Sequence, residues 1–363
     1  MKKGIGLMLV LAFFCALLQG ALAAAPGSNA NGDFEYVLRQ DGTACLTLYT
    51  GTARALSIPG EIDGHTVKAV GEDVFPKGLA VFSILIPGSV REIGEGAFRY
   101  LDKLSAIGVI NVNPVFASEQ GVLFDKKQKL LHTYPRSRGG ALYGIPRGIE
   151  AIAENAFYQC RYLQGVFVPS SVTAIGEGAF YGCKNVTRLL LSDGIKTIGT
   201  KAFAGLNQLV SIKIPQSVSH IGPGAFLRCE NLEDLLVDGD NPVYTAINGA
   251  LVEKETKLLH TYLHKKAGAV VRIPGGIKAV GDLAFSDCFV MKEVTVPESV
   301  ESIGAEAFAR CYNLASIIFP GNAMAIWPDA FLDSIRLSMK VAEGSDAYRY
   351  AVENGIPFEL DLR

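Results

Sequence analysis

One short pattern, repeated along almost the whole chain, limits what this sequence can fold into. "SVTAIGEGAFYGC" begins at Ser171, and variants of it begin at Thr66, Ser89, Gly148, Gly194, Ser217, Gly276, Ser299 and Asn322. Starts are 23 residues apart from Gly148 to Ser217, from Gly276 to Asn322, and between Thr66 and Ser89. The two exceptions, Ser89 to Gly148 and Ser217 to Gly276, are both 59. Even the irregularity is repeated. A unit this short cannot bury its own apolar face, so consecutive units must stack and share one core.

A second element of the form L-x-x-V-x-V-P lies between the tiles. Examples are "LQGVFVP" from Leu163, "LVSIKIP" from Leu209, "MKEVTVP" from Met291 and "LASIIFP" from Leu314. Alternating β-branched and apolar residues predict a short strand with one buried face. The proline ends its hydrogen-bond ladder. Within the tile, S-V-x-x-I-G reads as a second short extended piece and A-F-x-x-C as about one helical turn. The expected fold is an α/β solenoid of 23-residue coils, mostly short parallel strands with single-turn helices.

The long gaps hold two copies of one insertion. "NPVFASEQGVLFDKKQKLLHTYP" starts at Asn113 and "NPVYTAINGALVEKETKLLHTYL" at Asn241. Each predicts a β-hairpin with a charged turn, Asp125 to Lys129 or Glu253 to Lys257. The insertions are placed near residues 111–146 and 239–274 of a solenoid spanning 61–342. An N-terminal linker and β cap occupies 26–60, where Asp41-Gly42 between two alternating runs signals a hairpin. The C-terminal cap is 343–363, with a short helix capped by Ser345 or Asp346 and ended by Gly355.

The C-x-x-L-x-x-V-x-V-P pattern at this period resembles a leucine-rich repeat. The A-F pair and the I-P strand end resemble, more narrowly, the BspA-like (Treponema-type) repeats of bacterial surface and secreted proteins. The resemblance runs from about Asp33 to the C-terminus, and hairpin islands also occur in that family. It implies a non-enzymatic protein-binding role in adhesion or in host-matrix and cell-surface contact.

Residues 1–25 read as a secretory signal peptide. Lys2 and Lys3 precede an apolar run from Ile5 to Leu18, and small residues at A-x-A spacing follow. Cleavage is expected after Ala23, Ala24 or Ala25, which places the product outside the cell, on its surface or in a periplasm. No later stretch is long and apolar enough to span a membrane. The net charge of −2 becomes −4 without the two lysines. Lacking a basic excess, the chain carries no footprint for nucleic acid.

Several residues invite chemistry when read alone. G-E-G at Gly94 and Gly176 looks like the start of a phosphate loop. The third glycine, the long helix and the later acid of a dinucleotide site are missing, so the first glycine is read as a tight corner. Beyond the leader the cysteines are Cys45, Cys160, Cys183, Cys229, Cys288 and Cys311. Leu101, Leu206 and Ser334 replace them in sister tiles, as expected for a buried column of free thiols. Disulfides between adjacent coils (Cys160–Cys183, Cys288–Cys311) are the alternative, opposed by side chains that point the same way. The histidines, His65, His132, His220, His260 and His264, lack metal spacing, and His132 and His260 are twins in the two islands. Asp238-Gly239-Asp240-Asn241 resembles a calcium loop, but its twin Ile110-Asn111-Val112-Asn113 lacks the acids. Asn185-Val186-Thr187 is a glycosylation sequon. No catalytic, metal or cofactor site is expected.

Function is expected on the outer face of the strands. One outward column reads Leu85, Gly108, Phe167, Leu190, Lys213, Leu236, Thr295, Ile318. Its neighbour reads Ser83, Ala106, Gly165, Arg188, Ser211, Asp234, Glu293, Ser316. Exposed apolar side chains in a row mark interaction surfaces, although open strands favour such residues anyway. The partner-binding candidates are Leu85, Phe167, Arg188, Leu190, Lys213, Asp234, Leu236, Glu293, Thr295 and Ile318. A protein partner is expected first. A structural or carbohydrate-binding module of the cell envelope is the alternative, with a glycan as ligand.

Overall fold

The computed structural model describes residues 27–28, 32–321 and 324–360. The segment read as a signal peptide lies outside them. The chain forms two compact units, residues 1–117 and 118–363.

The first unit opens on the expected hairpin, Phe34–Leu38 against Ala44–Tyr49. Its loop is closed by Asp41, whose carboxylate accepts from the Thr43 N–H and hydroxyl, and by Gly42 at φ 77°. Ala44–Tyr49 then pairs in parallel with His65–Val70, which pairs with Glu92–Ile93. A separate ladder of longer strands, Ala55–Ser57, Ser83–Ile86 and Ala106–Val109, carries the L-x-x-V-x-V element.

In the second unit each coil contributes to three hydrogen-bonded ladders. Long strands such as Gly165–Val168 and Arg188–Leu191 form the first, at an offset of one coil. Two-residue strands from the V-x-x-I part, Ala151–Ile152, Ala174–Ile175, Thr197–Ile198 and His220–Ile221, form the second. The A-F segments form the third: Phe157, Phe180 and Phe203 each donate their N–H to the alanine carbonyl one coil ahead, at 2.7, 2.8 and 2.9 Å. Stacked rings fill the interior, with Phe157 and Phe180 centroids 4.6 Å apart and Phe285 and Phe308 4.8 Å apart.

The A-F segments are tight turns rather than the single-turn helices expected. In six of the tiles two residues four apart sit at positive φ, such as Asn155 (54°) and Gln159 (50°), or Gly178 and Gly182. A left-handed residue breaks an α-helix after one turn. The α-helix among the described residues is Asp346–Glu353, capped by the Ser345 side chain, which accepts from Tyr348 N–H.

The glycines also divide their work differently from the corner reading. Gly176 and Gly199 have ordinary φ, but an added Cβ would lie 2.6 Å from the backbone nitrogens of Glu154 and Glu177 in the preceding coil. Contact between coils, not a corner, requires glycine there. The following glycine, Gly178, is the one at positive φ.

The second island has one more strand than a hairpin. Tyr244–Ile247, Ala250–Glu253 and Leu258–Tyr262 form an antiparallel meander. Asn248 and Gly249, at φ 49° and 85°, make its first turn, matching the two-residue hairpin type. Leu258–Tyr262 then pairs in parallel with Ala279–Val280, so the L-L-H-T-Y strand restarts the two-residue ladder. In the first island Val122–Asp125 and Leu130–Thr133 repeat this arrangement, and Leu130–Thr133 pairs with Ala151–Ile152.

The middle strand of the second island divides the interior. Leu251 packs into the core that holds Phe157, Phe180 and Phe203, whereas Ala250 and Val252 pack into the core of Phe285, Phe308 and Phe331. Period-two alternation places neighbouring side chains on opposite faces.

Candidate functional site

The outward strand positions come together in groups rather than as one stripe. In the first unit Leu85 stands beside Gly108 in register. In the second, Phe167 adjoins Leu190, Lys213 adjoins Leu236, and Thr295 adjoins Ile318. No strand pairing links Arg188–Leu191 to Ser211–Ile214, and the ladder stops again after Asp234–Val237. Phe167, Leu190 and Leu236 are 48, 59 and 56 % exposed, which is high for large apolar groups on an ordered sheet. Thr295, Ile318 and Glu293 are half-buried, so the C-terminal end of the column presents less of itself.

Charged members of the set have local partners. Lys213 pairs with Asp238 at 2.6 Å; the bond raises the lysine pKa and lowers that of the aspartate. Asp238 also accepts from the Asp240 N–H, so this one of the calcium-like acids is spent on a turn and an ion pair. Asp234 lies 4.0 Å from Lys266. Arg188 is exposed and in register with Gly165, whose missing side chain makes room for Leu142.

Leu142 and Val270 escaped the column count, and both are exposed on this face, Leu142 at 74 %. They begin strands inside the insertions. Ile145-Pro146 and Ile273-Pro274 repeat the I-P strand end and were the available signal.

The other chemistry candidates take structural positions. All six cysteines are buried and free. Their thiols do more than fill space: Cys183, Cys229 and Cys311 donate to the carbonyls of Phe157, Phe203 and Phe285 in the preceding coil, at 2.8, 3.2 and 3.2 Å. The Ser334 hydroxyl donates to Phe308 O in the same way. Burial pushes the Cys229 and Cys311 thiols up to about 12. His260 closes an edge. The two-residue ladder ends at Ile221, whose N–H donates to the Tyr244 hydroxyl at 2.9 Å, and whose carbonyl lies 2.7 Å from His260 Nε2. A carbonyl only accepts, so Nε2 carries the proton. Asn241 is a buried bracket: its amide donates to Pro215 O and Val218 O and accepts from the N–H groups of Val243 and Tyr244. Asn113 makes the same four bonds in the first unit. Asp287, 2 % exposed, is held by Arg228 at 2.8 Å and Arg310 at 3.2 Å. Burial acts to raise its pKa, but the two guanidinium groups bring it below the ordinary value.

Among the described residues no group of three or more potential ligands is arranged for a metal ion, and no helix is long and apolar enough to cross a membrane.

No curated protein matches the chain. Solved structures do. A leucine rich cell surface protein from Faecalibacterium prausnitzii matches at 23 % identity and TM-score 0.50, over 94 % of this chain and 96 % of its own. Leucine-rich repeat proteins from Eubacterium ventriosum (21 %, TM-score 0.44, 85 % and 95 % covered) and Bacteroides ovatus (22 %, 0.42, 91 % and 98 %) also align. The Faecalibacterium prausnitzii protein shows a shared fold. The BspA type leucine rich repeat region matches in six copies, over residues 61–117, 143–245 and 264–344. What it leaves out between those spans is the strand pairs of the two islands. With the tile, its period and its glycine and phenylalanine columns in place, the chain belongs to the BspA type leucine rich repeat family.

Proposed function

We propose that this protein is an exported, non-enzymatic scaffold that binds a protein partner through the outer face of its long strands. One observation carries the reading: Phe167 and Leu190 stand side by side on a hydrogen-bonded ladder, each about half exposed, with Leu142 next to them. Ordered apolar side chains that remain in water favour association, and solenoids of stacked repeats bind along extended faces. Arg188, exposed beside this group, supplies a charged rim. Family membership supports a surface-protein role, and the leucine rich cell surface protein of Faecalibacterium prausnitzii agrees with export through the signal peptide read at residues 1–25. Adhesion is the form of binding that fits an exported scaffold.

The test compares wild type with the Phe167→Asp, Leu190→Asp double variant. Both are measured on immobilised extracellular-matrix proteins and on glycans. Binding to a matrix protein that falls at least about tenfold in the variant, with an unchanged melting curve, supports the face. Unchanged protein binding removes the face from consideration, and binding to glycans alone replaces the protein partner with a carbohydrate.

A further inference from the structure

The long-strand ladder of the second unit breaks at the second island, and among the described residues no strand is hydrogen-bonded to the outer edge of Asp234–Val237. Within its pair with Ser211–Ile214, the N–H groups of Asp234 and Asp238 reach back to Val210 O and Ile214 O. Alternation along a strand then turns the N–H and C=O groups of Leu235 and Val237 to the other side. Among the described residues, no hydrogen bond meets those four groups. Beside them lies a cavity of about 140 Å³, walled by Asp234, Leu235, Ala246, Gly249, Leu263 and Lys266.

The twin island differs at the residue that walls this space. Arg138 occupies the position matching Lys266 and is tied down, with Nε 2.9 Å from Gln120 O, Nη2 3.1 Å from Gln120 Oε1 and Nη1 3.0 Å from the Tyr134 hydroxyl. Its guanidinium also lies 5.4 Å from the Tyr143 ring centre. In the second island lysine replaces that arginine and Val271 replaces that tyrosine. Lys266 comes no closer than 4.0 Å to Asp234, and Lys265 no closer than 3.9 Å to Glu233. One island ties this residue to its own groups; the other leaves it loosely paired at the wall of the cavity.

We propose that the gap accepts an extended polypeptide segment of two or three small residues, added as a strand to the outer edge of Asp234–Val237. The edge offers N–H and C=O groups in alternation at strand spacing, which a peptide backbone matches and a sugar does not. The cavity has room for small side chains only. At its rim the two acids and two lysines, loosely paired, suit a segment flanked by one charge of each sign. This site is separate from the face around Phe167, and either stands if the other fails.

Amide hydrogen exchange on the full chain tests it, with acetyl-Lys-Ala-Val-Ala-Glu-amide as the probe. In the free protein the Leu235 and Val237 amides exchange faster than that of Leu236, which is bonded inward. Millimolar peptide slows Leu235 and Val237 by about tenfold or more. A peptide N-methylated at every residue leaves them unchanged, because neither of its edges can pair. Ala246→Phe, which projects a ring into the cavity from an exposed position, abolishes the slowing while the melting temperature holds. The proposal is overturned if both amides are already as slow as Leu236, if the peptide does not slow them, or if the N-methylated peptide or the Ala246→Phe protein behaves like the original pair.

Discussion

Cys183 and Ser334 make the same bond with different atoms. Each donates to a phenylalanine carbonyl in the coil before it. Replacing Cys183 by Ser should therefore stay within about 1 kcal/mol of wild type in urea unfolding, whereas Cys183→Ala, losing donor and volume, should cost about 1–2 kcal/mol. The native thiols should not react with a disulfide reagent at pH 8 until the protein is denatured, since all six are buried away from it. The sequence showed the column as interchangeable with leucine, and that predicted burial. It concealed the donor role because a thiol's hydrogen bond leaves no trace in residue type; only the serine at 334 hinted at it. Histidine sets a second test. Burial holds His260 and His264 below the ordinary histidine value, although each meets a backbone carbonyl, Ile221 O and Ser286 O. Above about pH 6.5 both are neutral folded or unfolded and no penalty arises. As the pH falls further, the unfolded chain takes up protons the native one refuses. Stability then declines by up to about 1.4 kcal/mol per pH unit for each histidine, until the lowered native values are passed. Glu253 and Asp282 near His260, and Asp287 and Glu230 near His264, favour the charged form and soften the slope, while His220 and Arg228 steepen it. Urea midpoints at pH 7.5 and 5.5 should differ less in the His260→Gln, His264→Gln protein, whose amides still donate.

The coil from Ser171 depends on two glycine positions that look alike in sequence. At Gly176 the neighbouring backbone stands where a side chain would go; at Gly178 the backbone angle objects, and an added Cβ would meet only the Asn155 amide oxygen, the end of a side chain, at 2.9 Å. Gly176→Ala should therefore cost about 3 kcal/mol by overpacking, and Gly178→Ala about 1 kcal/mol. Asparagine at 178 should be milder still, because Asn155 already holds that conformation one coil earlier. Thermal unfolding of the three variants ranks them, and equal losses at 176 and 178 would refute the division of roles. The tile's period made the strands and coil length legible. Its turn was not, because A-F-x-x-C fits one helical turn as well as a left-handed corner, and Gln159, Arg228 and Arg310 at positive φ carry no compositional mark. In the second island the Asn-Gly pair at Asn248 was a readable hairpin signal, yet the longer charged turn drew the reading instead.

Across the second unit, the interior is two cores with the second island as the wall between them. Stability in stacked repeats is a sum of local terms, and here the sum is partitioned. Phe308→Ala, a loss of about 3–5 kcal/mol, should raise hydrogen exchange across residues 271–341 and leave 152–214 nearly unchanged. An equal rise in both spans would mean that the wall transmits strain. The candidate face was legible as outward columns, because strand alternation is visible in residue type. Its interruptions were not, since a missing ladder bond between Arg188–Leu191 and Ser211–Ile214 depends on backbone placement that no residue announces. The brackets at Asn113 and Asn241 have a consequence for how such a chain can change length. They lie 128 residues apart and grip the preceding coil through identical bonds. A gene that recombined one bracket with the other would lose or gain a whole cassette, island and coils together, and each junction would meet the contacts it had before. Under that arithmetic reach becomes an inheritable variable, adjustable in single steps with no new interface to invent.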